Sequence, residues 1–549
     1  MLKGCVPCEP EYAKLYRELG CWEDKTLGEV LEQRFFKDFR DRECVVYEGR
    51  RYTYKQVGEV VNRLASHFLK IGLKPQDRVV FQLGQTPENM FTFFALLKAG
   101  IIPVMALPAH RFNEINHFVQ FANAVATFTP TKQRKFDFME MIEQVRAEQK
   151  SLKYIFVQGE ATKDYISIEE LINTPVEHIE PPPIDPDEVA FMLLSGGTTG
   201  IPKLIPRTHN EYHYNIRQSS LEAHINSDTV ILIVLPMSHN YNIGCPGYMS
   251  CLYRGGKTVI CPAMDEDTIF SLVEKERVTD IASAVPLIAR WRNSDIPDKY
   301  DISSLKAIQN GGAALAPEFR KHIMDRFKCF PLEVFGTGEG LLNFMPREAP
   351  MEKVLTSSGK AISPYDDLKV IDLETGEALP PGKAGELVVR GPYTFHGYYN
   401  MPEKNKEAFT ADGYYKMGDV VKMDDEGYIY YVGRNKDLVN RGGEKISCEE
   451  VESFIMQNEK VDNCCVVAMP DEEFGERACA YVKLNPGQTI DLKELVAFLK
   501  SKDIANFKLP ERLEIVDEFP LTAFSKISRK DLRDRIAAQV KAEKAAKGQ

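Results

Sequence analysis

The feature that most constrains this chain is the alternation of short apolar runs with segments of helical spacing. Residues 78–83 have the pattern of a strand, residues 87–99 that of a helix ended by Gly100, and residues 101–107 that of another strand. A strand, a helix and a strand joined by short links form a βαβ unit, whose two strands run parallel. The sequence therefore predicts the α/β class, with parallel-type sheets covered by helices.

The alternation continues to about residue 360 and brings glycine-rich turns to the ends of strands. The predicted strands 189–194, 307–310 and 333–335 are each followed by such a turn, and we expect Gly311-Gly312-Ala313 to open a helix. We also expect a helix over residues 114–126. Since ligands of open α/β sheets bind outside the carboxyl ends of the strands, the three turns predict one shared nucleotide crevice.

The length of 549 residues is too great for one ordinary core, so we expect at least two domains. Short β-type segments separated by turns predict a small β-barrel-like subdomain over about residues 360–436. Beyond it, two helices and three strands suffice for a separate α+β unit. The predicted division is a core of residues 1–436 and a C-terminal domain of residues 437–549.

Charge and hydropathy exclude several classes of protein. The net charge of −11 argues against a general nucleic-acid binder, because phosphate backbones are held by clustered Lys and Arg. No apolar run reaches the length that a membrane helix needs, and the N-terminus lacks the order of a signal peptide. We therefore expect a cytoplasmic protein that binds neither nucleic acid nor membrane.

The glycine-rich segment 195–203 reads Ser-Gly-Gly-Thr-Thr-Gly-Ile-Pro-Lys. Glycines let backbone N–H groups converge on an anion, threonine hydroxyls add donors, and Lys203 adds a positive charge. The segment does not match the pattern G-x-x-x-x-G-K-[ST], because Ile201 and Pro202 follow Gly200. A phosphate-binding loop and a plain glycine-rich linker both remain open on this segment alone.

Further polar residues stand at turns where chemistry is plausible. Glu339 lies in a glycine-rich turn after a strand, where one carboxylate suits Mg²⁺. Asp419 lies in a tight turn and can accept hydrogen bonds from two ribose hydroxyls, and Lys526 is carried by a turn-like loop near the C-terminus. Ordinary surface turns are the alternative for each of these residues taken singly.

Together these motifs resemble the adenylate-forming superfamily of acyl-CoA synthetases, firefly-type luciferases and peptide-synthetase adenylation domains. The resemblance covers almost the whole chain, and segment 195–203 is similar to the superfamily's S-G-T-T-G-x-P-K element. It implies ATP as co-substrate, Mg²⁺ held by Glu339, a catalytic lysine at Lys526 and an interdomain hinge at Asp437. The residues that it implies for ATP and pyrophosphate are Ser195, Gly196, Gly197, Thr198, Thr199, Gly200, Lys203, Gly311, Gly312, Ala313, Phe335, Gly336, Thr337, Asp419 and Arg434.

Three residues depart from the superfamily's pattern. Met417 stands where Thr is usual, Ser525 where Gly is usual, and Gly197 is an additional glycine in the loop. The first two departures concern the rate and the loop geometry rather than the class of reaction.

Within the superfamily, the segments His239-Asn240-Tyr241 and Cys245-Pro246-Gly247 are similar to the stand-alone aryl-acid AMP ligases of siderophore biosynthesis. The aryl-acid pocket implied by this resemblance consists of His239, Asn240, Tyr241, Cys245, Gly312 and Leu342. Asn240 would hydrogen-bond the 2-hydroxyl of the ring, and His239 and Tyr241 would shape the slot, with His239 also counted among the catalytic residues. A packed loop histidine is the alternative for His239.

Two pocket residues bear on which acid is activated. The resemblance implies a Ser at position 245 in ligases of 2,3-dihydroxybenzoate and a Cys in ligases of salicylate. A thiol is a poor hydrogen-bond partner, so a 3-hydroxyl buried against Cys245 would be poorly satisfied. Leu342 is bulkier than the Val usual in dihydroxybenzoate ligases. Salicylate is therefore our first prediction and 2,3-dihydroxybenzoate the second.

The resemblance implies two half-reactions: formation of aryl-AMP and pyrophosphate, then transfer of the aryl group to a thiol. No carrier domain is evident in the chain, so we expect the phosphopantetheine thiol of a carrier protein in trans, or CoA, as the acceptor. Two alternatives remain open. An aryl-CoA ligase of aromatic metabolism would use the same site, and a non-catalytic nucleotide-binding protein is the alternative of another class.

Overall fold

The computed structural model describes residues 1–133, 136–162, 164–195, 202–441, 444–471, 473–502, 504, 506–522 and 526–547. The chain forms two compact units, one of Met1–Asp367 with Val389–Tyr415 and one of Leu368–Val388 with Lys416–Gln549. The boundary expected between residues 436 and 437 is not tested by this division and stays a prediction. The α/β class with parallel sheets and helices is confirmed.

The first unit contains a seven-stranded sheet that is parallel except at one edge. In spatial order its strands are Leu204–Thr208, Val189–Leu194, Ile102–Met105, Arg78–Phe81, Ala126–Pro130, Tyr154–Gln158 and Ile166–Ser167. The helix Pro87–Lys98 connects the parallel strands Arg78–Phe81 and Ile102–Met105, which confirms the expected βαβ unit. The antiparallel edge is the pair on either side of segment 195–203.

The nine-stranded sheet of the first unit has a parallel centre and antiparallel pairs toward both edges. In spatial order its strands are Lys360–Ala361, Gly340–Phe344, Phe330–Thr337, Ala307–Gly311, Asp280–Ser283, Val230–Ile233, Lys257–Ile260, Glu43–Tyr47 and Arg50–Thr53. Lys132–Gln133 and Phe136–Asp137 form a separate two-stranded ribbon. Because Ala307–Gly311 and Phe330–Thr337 are parallel neighbours, their carboxyl ends lie at one edge of the sheet.

Helices cover the sheets of the first unit. They are Pro10–Glu18, Leu27–Gln33, Tyr54–Ile71, Pro87–Lys98, Phe112–Ala122, Phe138–Glu148, Ile168–Asn173, His209–Glu222, Asn240–Gly244, Tyr248–Tyr253, Glu266–Glu276, Val285–Arg292, Pro317–His322, Met351–Thr356 and Pro402–Ala408. Short irregular turns of helix occupy Arg34–Asp38, Ile296–Lys299 and Ile323–Phe327. Among the residues that the structure describes, no helix has the length and apolar character needed to cross a membrane.

Two expected helices differ from the structure. The helix expected over residues 114–126 is Phe112–Ala122, because Asn123 ends it in the left-handed conformation and a strand begins at Ala126. The prediction that Gly311-Gly312-Ala313 opens a helix is wrong. Gly311 ends a strand, Gly312 has φ +88°, and the next helix begins at Pro317.

The second unit combines two sheets with three helices. A four-stranded sheet, whose edge residues fall partly in the first unit, contains Asp367–Ile371, Ala384–Arg390, Tyr415–Met423 and Ile429–Arg434. A five-stranded sheet contains Glu444–Ser447, Leu438–Arg441, Gly475–Leu484, Val461–Asp471 and Arg512–Ile515. The helices are Cys448–Ile455, Leu492–Lys500 and Arg529–Lys547, with short 3-10 turns at Asn435–Asp437 and Asn506–Lys508. The unit has its own apolar core, in which Val451, Val466 and Leu495 are buried.

Candidate active site

Segment 195–203 connects two antiparallel strands and is closed at its base. The N–H of Ser195 donates to the carbonyl of Lys203 at 3.0 Å, and the N–H of Lys203 donates to Oγ of Ser195 at 3.0 Å. This pair of bonds continues the ladder beyond the register pair Leu194 and Leu204. The predicted phosphate-binding residues Gly196, Gly197, Thr198, Thr199 and Gly200 lie outside the described residues.

Lys203 and Glu339 both contact one tyrosine, Tyr398. The ammonium of Lys203 lies 3.8 Å from the centroid of the Tyr398 ring, within the range of a cation–π contact. The hydroxyl of Tyr398 donates to Oε1 of Glu339 at 2.8 Å, and Glu339 is buried. The structure therefore brings together two predicted site residues, Lys203 and Glu339, through a third that the sequence did not predict.

The turn that carries Glu339 is held by a buried arginine. Arg207 is fully buried and donates to the carbonyl of Gly338 at 2.7 Å and to the carbonyl of Tyr393 at 2.6 Å. Gly340 has φ +131°, and a Cβ there would lie 2.6 Å from Cα of Thr394. Only glycine fits this close approach without movement of the backbone. The turn thus has a fixed shape on both sides of the carboxylate.

Two of the residues predicted to bind ATP, Gly311 and Phe335, lie on neighbouring strands. Gly311 pairs in register with Val334, which precedes Phe335. A Cβ at Gly311 would lie 2.8 Å from the ring of Tyr241, so this glycine allows the backbone to pack on that ring. The exposed residues Gly312 and Ala313 follow, and the carbonyl of Ala313 accepts a hydrogen bond from the side chain of Asn310 at 2.8 Å.

The segment from His239 to Cys245 forms a short, capped turn of helix. Nδ1 of His239 accepts a hydrogen bond from the N–H of Tyr241 at 3.2 Å, so the imidazole caps the helix Asn240–Gly244. Oδ1 of Asn240 accepts from the hydroxyl of Tyr212 at 2.8 Å. The carbonyl side of the Asn240 amide therefore faces Tyr212, and its NH₂ group supplies the donors on the other side.

Cys245 is buried among polar groups. Its Sγ accepts a hydrogen bond from Nδ2 of Asn215 at 3.8 Å, and the same amide donates to the carbonyl of Gly244 at 2.8 Å. Desolvation raises the pKa of the Cys245 thiol to about 12, although hydrogen bonds with Asn215, Tyr212 and Asn240 oppose the shift. The thiol is therefore neutral at physiological pH and offers only weak hydrogen bonding.

Leu342 is buried on the strand that pairs with the predicted nucleotide-binding residues. It stands opposite Gly336 in register, and its N–H donates to the hydroxyl of Tyr393 at 3.0 Å. The hydroxyl of Thr337 donates to the carbonyl of Gly340 at 2.8 Å and so closes the same turn. Two predicted regions, for the aryl acid and for the nucleotide, therefore share one hairpin.

In the second unit, Asp419 and Arg434 are cross-strand neighbours. They pair in register between Tyr415–Met423 and Ile429–Arg434, and Nε of Arg434 lies 2.6 Å from Oδ1 of Asp419. Asp419 is buried, whereas Arg434 is partly exposed. The ion pair fixes the orientation of the carboxylate, so the two predicted ribose-binding residues form one structural element.

Lys526 belongs to the same electrostatic environment. Its loop is closed by the N–H of Thr522, which donates to the carbonyl of Lys526 at 2.7 Å. The side chain keeps contact with solvent, but desolvation by the surrounding protein lowers the pKa of its ammonium group. The positive charge of Arg434 lowers this pKa further, and Asp419 and Glu449 oppose the shift. Ser525, one of the departures, lies outside the described residues.

Asp437 lies in a 3-10 turn within the second unit. Its carboxylate forms an ion pair with Arg533 of the C-terminal helix, and its carbonyl accepts a hydrogen bond from Sγ of Cys448 at 2.9 Å. These contacts tie the predicted hinge residue to two helices of its own unit.

The sequence did not predict four residues at these sites, namely Arg207, Tyr212, Asn215 and Tyr398. Three of them belong to one segment, residues 207–215, which is buried although it is rich in polar and aromatic residues. That composition was the signal that the sequence offered. Tyr398 follows Gly397 in an aromatic-rich stretch and carries no pattern of its own.

Comparison with known proteins gives the family. Residues 32–399 match the AMP-binding enzyme family, and residues 450–526 match the AMP-binding enzyme C-terminal domain. The chain belongs to the AMP-binding enzyme family. It is an acid-activating ligase of the aryl-acid AMP ligase subfamily, and adenylate-forming ligases of this kind use ATP.

Two relatives named for aryl acids and one solved structure are similar to this AMP-binding enzyme. The chain is 39% identical over 540 residues to the 2,3-dihydroxybenzoate-AMP ligase of Bacillus subtilis, covering 98% of this chain and 99% of that protein. It is 38% identical to the salicylyl-CoA synthase / salicylate adenylyltransferase of a Streptomyces species, covering 97% of each. The apo structure of MbtA from Mycobacterium smegmatis has a TM-score of 0.75 at 34% identity and covers 97% of this chain and 99% of that one.

Proposed function

We propose that this enzyme activates salicylate with ATP, forming salicyl-AMP and pyrophosphate, and then transfers the aryl group to a thiol in siderophore-type biosynthesis. The chemistry of Cys245 carries the choice of acid. Overall similarity does not discriminate, since the relatives named for 2,3-dihydroxybenzoate and for salicylate are 39% and 38% identical.

The hydrogen bonding around Cys245 favours an acid without a 3-hydroxyl. The thiol is buried and neutral, and the nearby amide of Asn215 already donates to it. A 3-hydroxyl buried there would exchange water for a weak sulfur partner, at a cost of about 1–3 kcal/mol. The 2-hydroxyl of salicylate requires only the amide of Asn240, whose NH₂ group is oriented by Tyr212. We therefore expect 2,3-dihydroxybenzoate to be accepted less well, not excluded.

In the adenylation step, positive charge and hydrogen-bond donors compensate the charge that develops on the phosphates. We infer that Lys526 bridges the carboxylate and the α-phosphate, and that segment 195–203 with Lys203 receives the departing pyrophosphate. Asp419, oriented by Arg434, would accept the ribose hydroxyls. His239 would shape the acid slot through its capping of the helix Asn240–Gly244 rather than by proton transfer.

The residues around Glu339 fit a magnesium ion carried with the nucleotide. The carboxylate is buried and one of its oxygens is oriented by the hydroxyl of Tyr398. Among the described residues, no group of three or more His, Cys, Asp or Glu could hold a metal by itself. Mg²⁺ commonly uses one or two protein carboxylates together with phosphates and water, so Glu339 would supply the protein ligand. When bound, the ion would neutralise phosphate charge.

The acceptor of the second step has two candidates, which the sequence does not distinguish. We propose the phosphopantetheine thiol of an aryl carrier protein acting in trans. CoA is the second candidate, and it is favoured by the name of the Streptomyces relative, a salicylyl-CoA synthase. Incubating preformed salicyl-AMP with the enzyme and either CoA or a holo carrier protein, and measuring thioester formed with each, separates the two.

The proposal is tested by acid-dependent ATP–pyrophosphate exchange over a panel of benzoates. We expect the highest kcat/KM with salicylate. The variant Cys245→Ser restores a hydroxyl partner, so the ratio of kcat/KM for 2,3-dihydroxybenzoate to that for salicylate should rise about tenfold, the equivalent of one hydrogen bond of about 1.4 kcal/mol.

A matched control is Cys251→Ser. Cys251 is also buried and its Sγ donates to the carbonyl of Lys257 at 3.5 Å, but it belongs to the helix Tyr248–Tyr253 outside the predicted pocket. The ratio should not change in this variant. Absence of exchange with every aryl acid would refute the proposed function. Wild-type preference for 2,3-dihydroxybenzoate, unchanged in Cys245→Ser, would refute only the choice of acid.

A further inference from the structure

Tyr398 contacts two opposite charges of the first unit, Lys203 and Glu339. Its ring centroid is 3.8 Å from the ammonium of Lys203, and its hydroxyl donates to Oε1 of Glu339 at 2.8 Å. The tyrosine is buried, with 2% of its surface exposed. It therefore presents its electron-rich face to the cation and its polar end to the carboxylate, as the amphipathic structure of a tyrosine allows.

The fold fixes this tyrosine through its backbone and its ring. The side chain of Asn405 accepts from the N–H of Tyr398 at 2.8 Å and donates to its carbonyl at 3.1 Å. The ring packs edge to face on Phe395 at 4.9 Å between centroids, and the N–H of Phe395 donates to the backbone carbonyl of Glu339 at 2.7 Å. The tyrosine and the turn bearing the carboxylate are thus joined twice.

Tyr398 contacts the two charged groups with different parts of its side chain. The face of the ring contacts the ammonium group of Lys203, and the hydroxyl donates a hydrogen bond to the carboxylate of Glu339. Because both contacts come from one buried side chain, the orientation of the lysine and that of the carboxylate are coupled.

We propose that Tyr398 is a positioning residue that contacts both Lys203 and Glu339 and orients the former toward the nucleotide phosphates and the latter toward their metal ion. This inference rests on the proposed function of the same site. The hydroxyl and the ring of the tyrosine have different roles. The hydroxyl acts on the metal through Glu339, whereas the ring acts on the phosphates through Lys203.

Two substitutions separate these parts. Tyr398→Phe keeps the ring and its contact with Lys203 but removes the hydroxyl that orients Glu339. Tyr398→Leu removes both the hydroxyl and the aromatic face. Losing a residue that orients a metal-binding carboxylate typically weakens metal affinity about 10- to 100-fold. Phe should therefore impair only the metal-dependent part of nucleotide binding, and Leu both parts.

Calorimetric titration of the full chain with ATP is done once with Mg²⁺ and once with EDTA. It measures the metal-dependent and the metal-independent parts of ATP binding without turnover. In Tyr398→Phe we expect the dissociation constant for ATP measured with EDTA to stay within about twofold of wild type. The factor by which Mg²⁺ tightens ATP binding should fall about tenfold. In Tyr398→Leu the dissociation constant with EDTA should also rise about fivefold, the size expected for a lost cation–π contact.

The matched control is Tyr54→Phe. This buried tyrosine of the first unit donates to the backbone carbonyl of Gly256 at 2.6 Å rather than to a carboxylate. It should lower stability while leaving both dissociation constants unchanged. Should the Tyr398 variants fail to fold, Lys203→Met provides a second measurement, because it should weaken binding with EDTA and leave the strengthening by Mg²⁺ intact.

The outcomes distinguish this inference from the proposed function. If Tyr398→Phe gains as much from Mg²⁺ as wild type does, or Lys203→Met loses that gain, the inference is wrong. If wild type binds ATP but shows no acid-dependent exchange, the proposed function is wrong while the titrations still decide the role of Tyr398. If wild type binds no ATP under either condition, both are wrong.

Discussion

At the scale of the residue, two charged side chains of the second unit act in opposite directions on the pKa of a third. Arg434 pairs with Asp419, and both act on the ammonium of Lys526, one lowering its pKa and the other raising it. A lysine ammonium group is a compact point charge that attracts an incoming anion. This fits the proposed role of Lys526 at the α-phosphate.

Replacing Lys526 should separate the two half-reactions. In Lys526→Ala we expect ATP–pyrophosphate exchange to fall roughly 10²–10³-fold, because one preorganised donor to the developing charge is lost. Transfer of the aryl group from preformed aryl-AMP to the thiol should fall much less, since that phosphate has already reacted. Single-turnover assays of each step provide the measurement, and equal losses in both would contradict the assignment.

Residues with a chemical signature could be predicted from the sequence, and residues that act through contacts could not. Glycines, a lysine and a carboxylate at strand ends indicate a nucleotide site because few other functions need them together. Tyr398 contacts Glu339 across 59 positions of the chain. No local pattern encodes that contact, because it arises only when the two segments meet in the folded unit.

At the scale of the element, the helix His209–Glu222 shows why hydrophobic periodicity failed. Ten of its residues are buried, and seven of these are the consecutive polar, aromatic and charged positions 209–215. Because the helix is buried on most sides, it has no broad solvent-facing side and no amphipathic pattern. The capping box of Thr208 and Glu211 was the local signal that could have located its start.

Arg207, just before that helix, should control the shape of the turn that carries Glu339. In Arg207→Lys we expect unfolding free energy to fall by about 2–3 kcal/mol, because one ammonium cannot satisfy both the Gly338 and the Tyr393 carbonyls. Exchange activity should also fall about tenfold. Urea unfolding and exchange kinetics measure the two effects, and loss of stability with unchanged activity would show that the turn tolerates movement.

The turn Asn435–Asp437 bears on the expected hinge. Proline fixes φ, so Asp437→Pro should restrict rotation at this position and hold the enzyme in one catalytic state. We expect one half-reaction to fall at least tenfold and the other to stay within about twofold. Arg533→Ala removes the ion pair of Asp437 without fixing the backbone and serves as the control. Parallel losses in both half-reactions of Asp437→Pro would argue against a hinge.

At the scale of the whole molecule, two units each have their own core. The parallel sheets of the first unit and the α+β character of the second followed from hydrophobic periodicity. The spacing of apolar residues distinguishes strands from helices, and the order of these segments along the chain indicates the class of fold. The antiparallel pairs formed by Leu204–Thr208 and by Gly340–Phe344 did not follow, since pairing toward an edge depends on which segments remain to cover it.

Separate cores predict separate responses to core substitutions. Leu495 is fully buried in the core of the second unit, and Leu96 is fully buried in the first. Each Leu→Ala change should cost about 2–5 kcal/mol in its own unit. In differential scanning calorimetry we expect two transitions, of which Leu495→Ala lowers one and Leu96→Ala the other. A single transition shifted equally by both would show that the units unfold together.

The paired hydrogen bonds between Ser195 and Lys203 have a consequence for how this site can change. Antiparallel strands can slip in register, and a slip by one residue would turn every side chain to the opposite face. Here the two strand ends are fastened to each other directly. Insertions, deletions and exchanges between those ends should therefore leave the sheet beneath them in alignment, so that the proposed phosphate-binding segment can change in length while the strands keep their register.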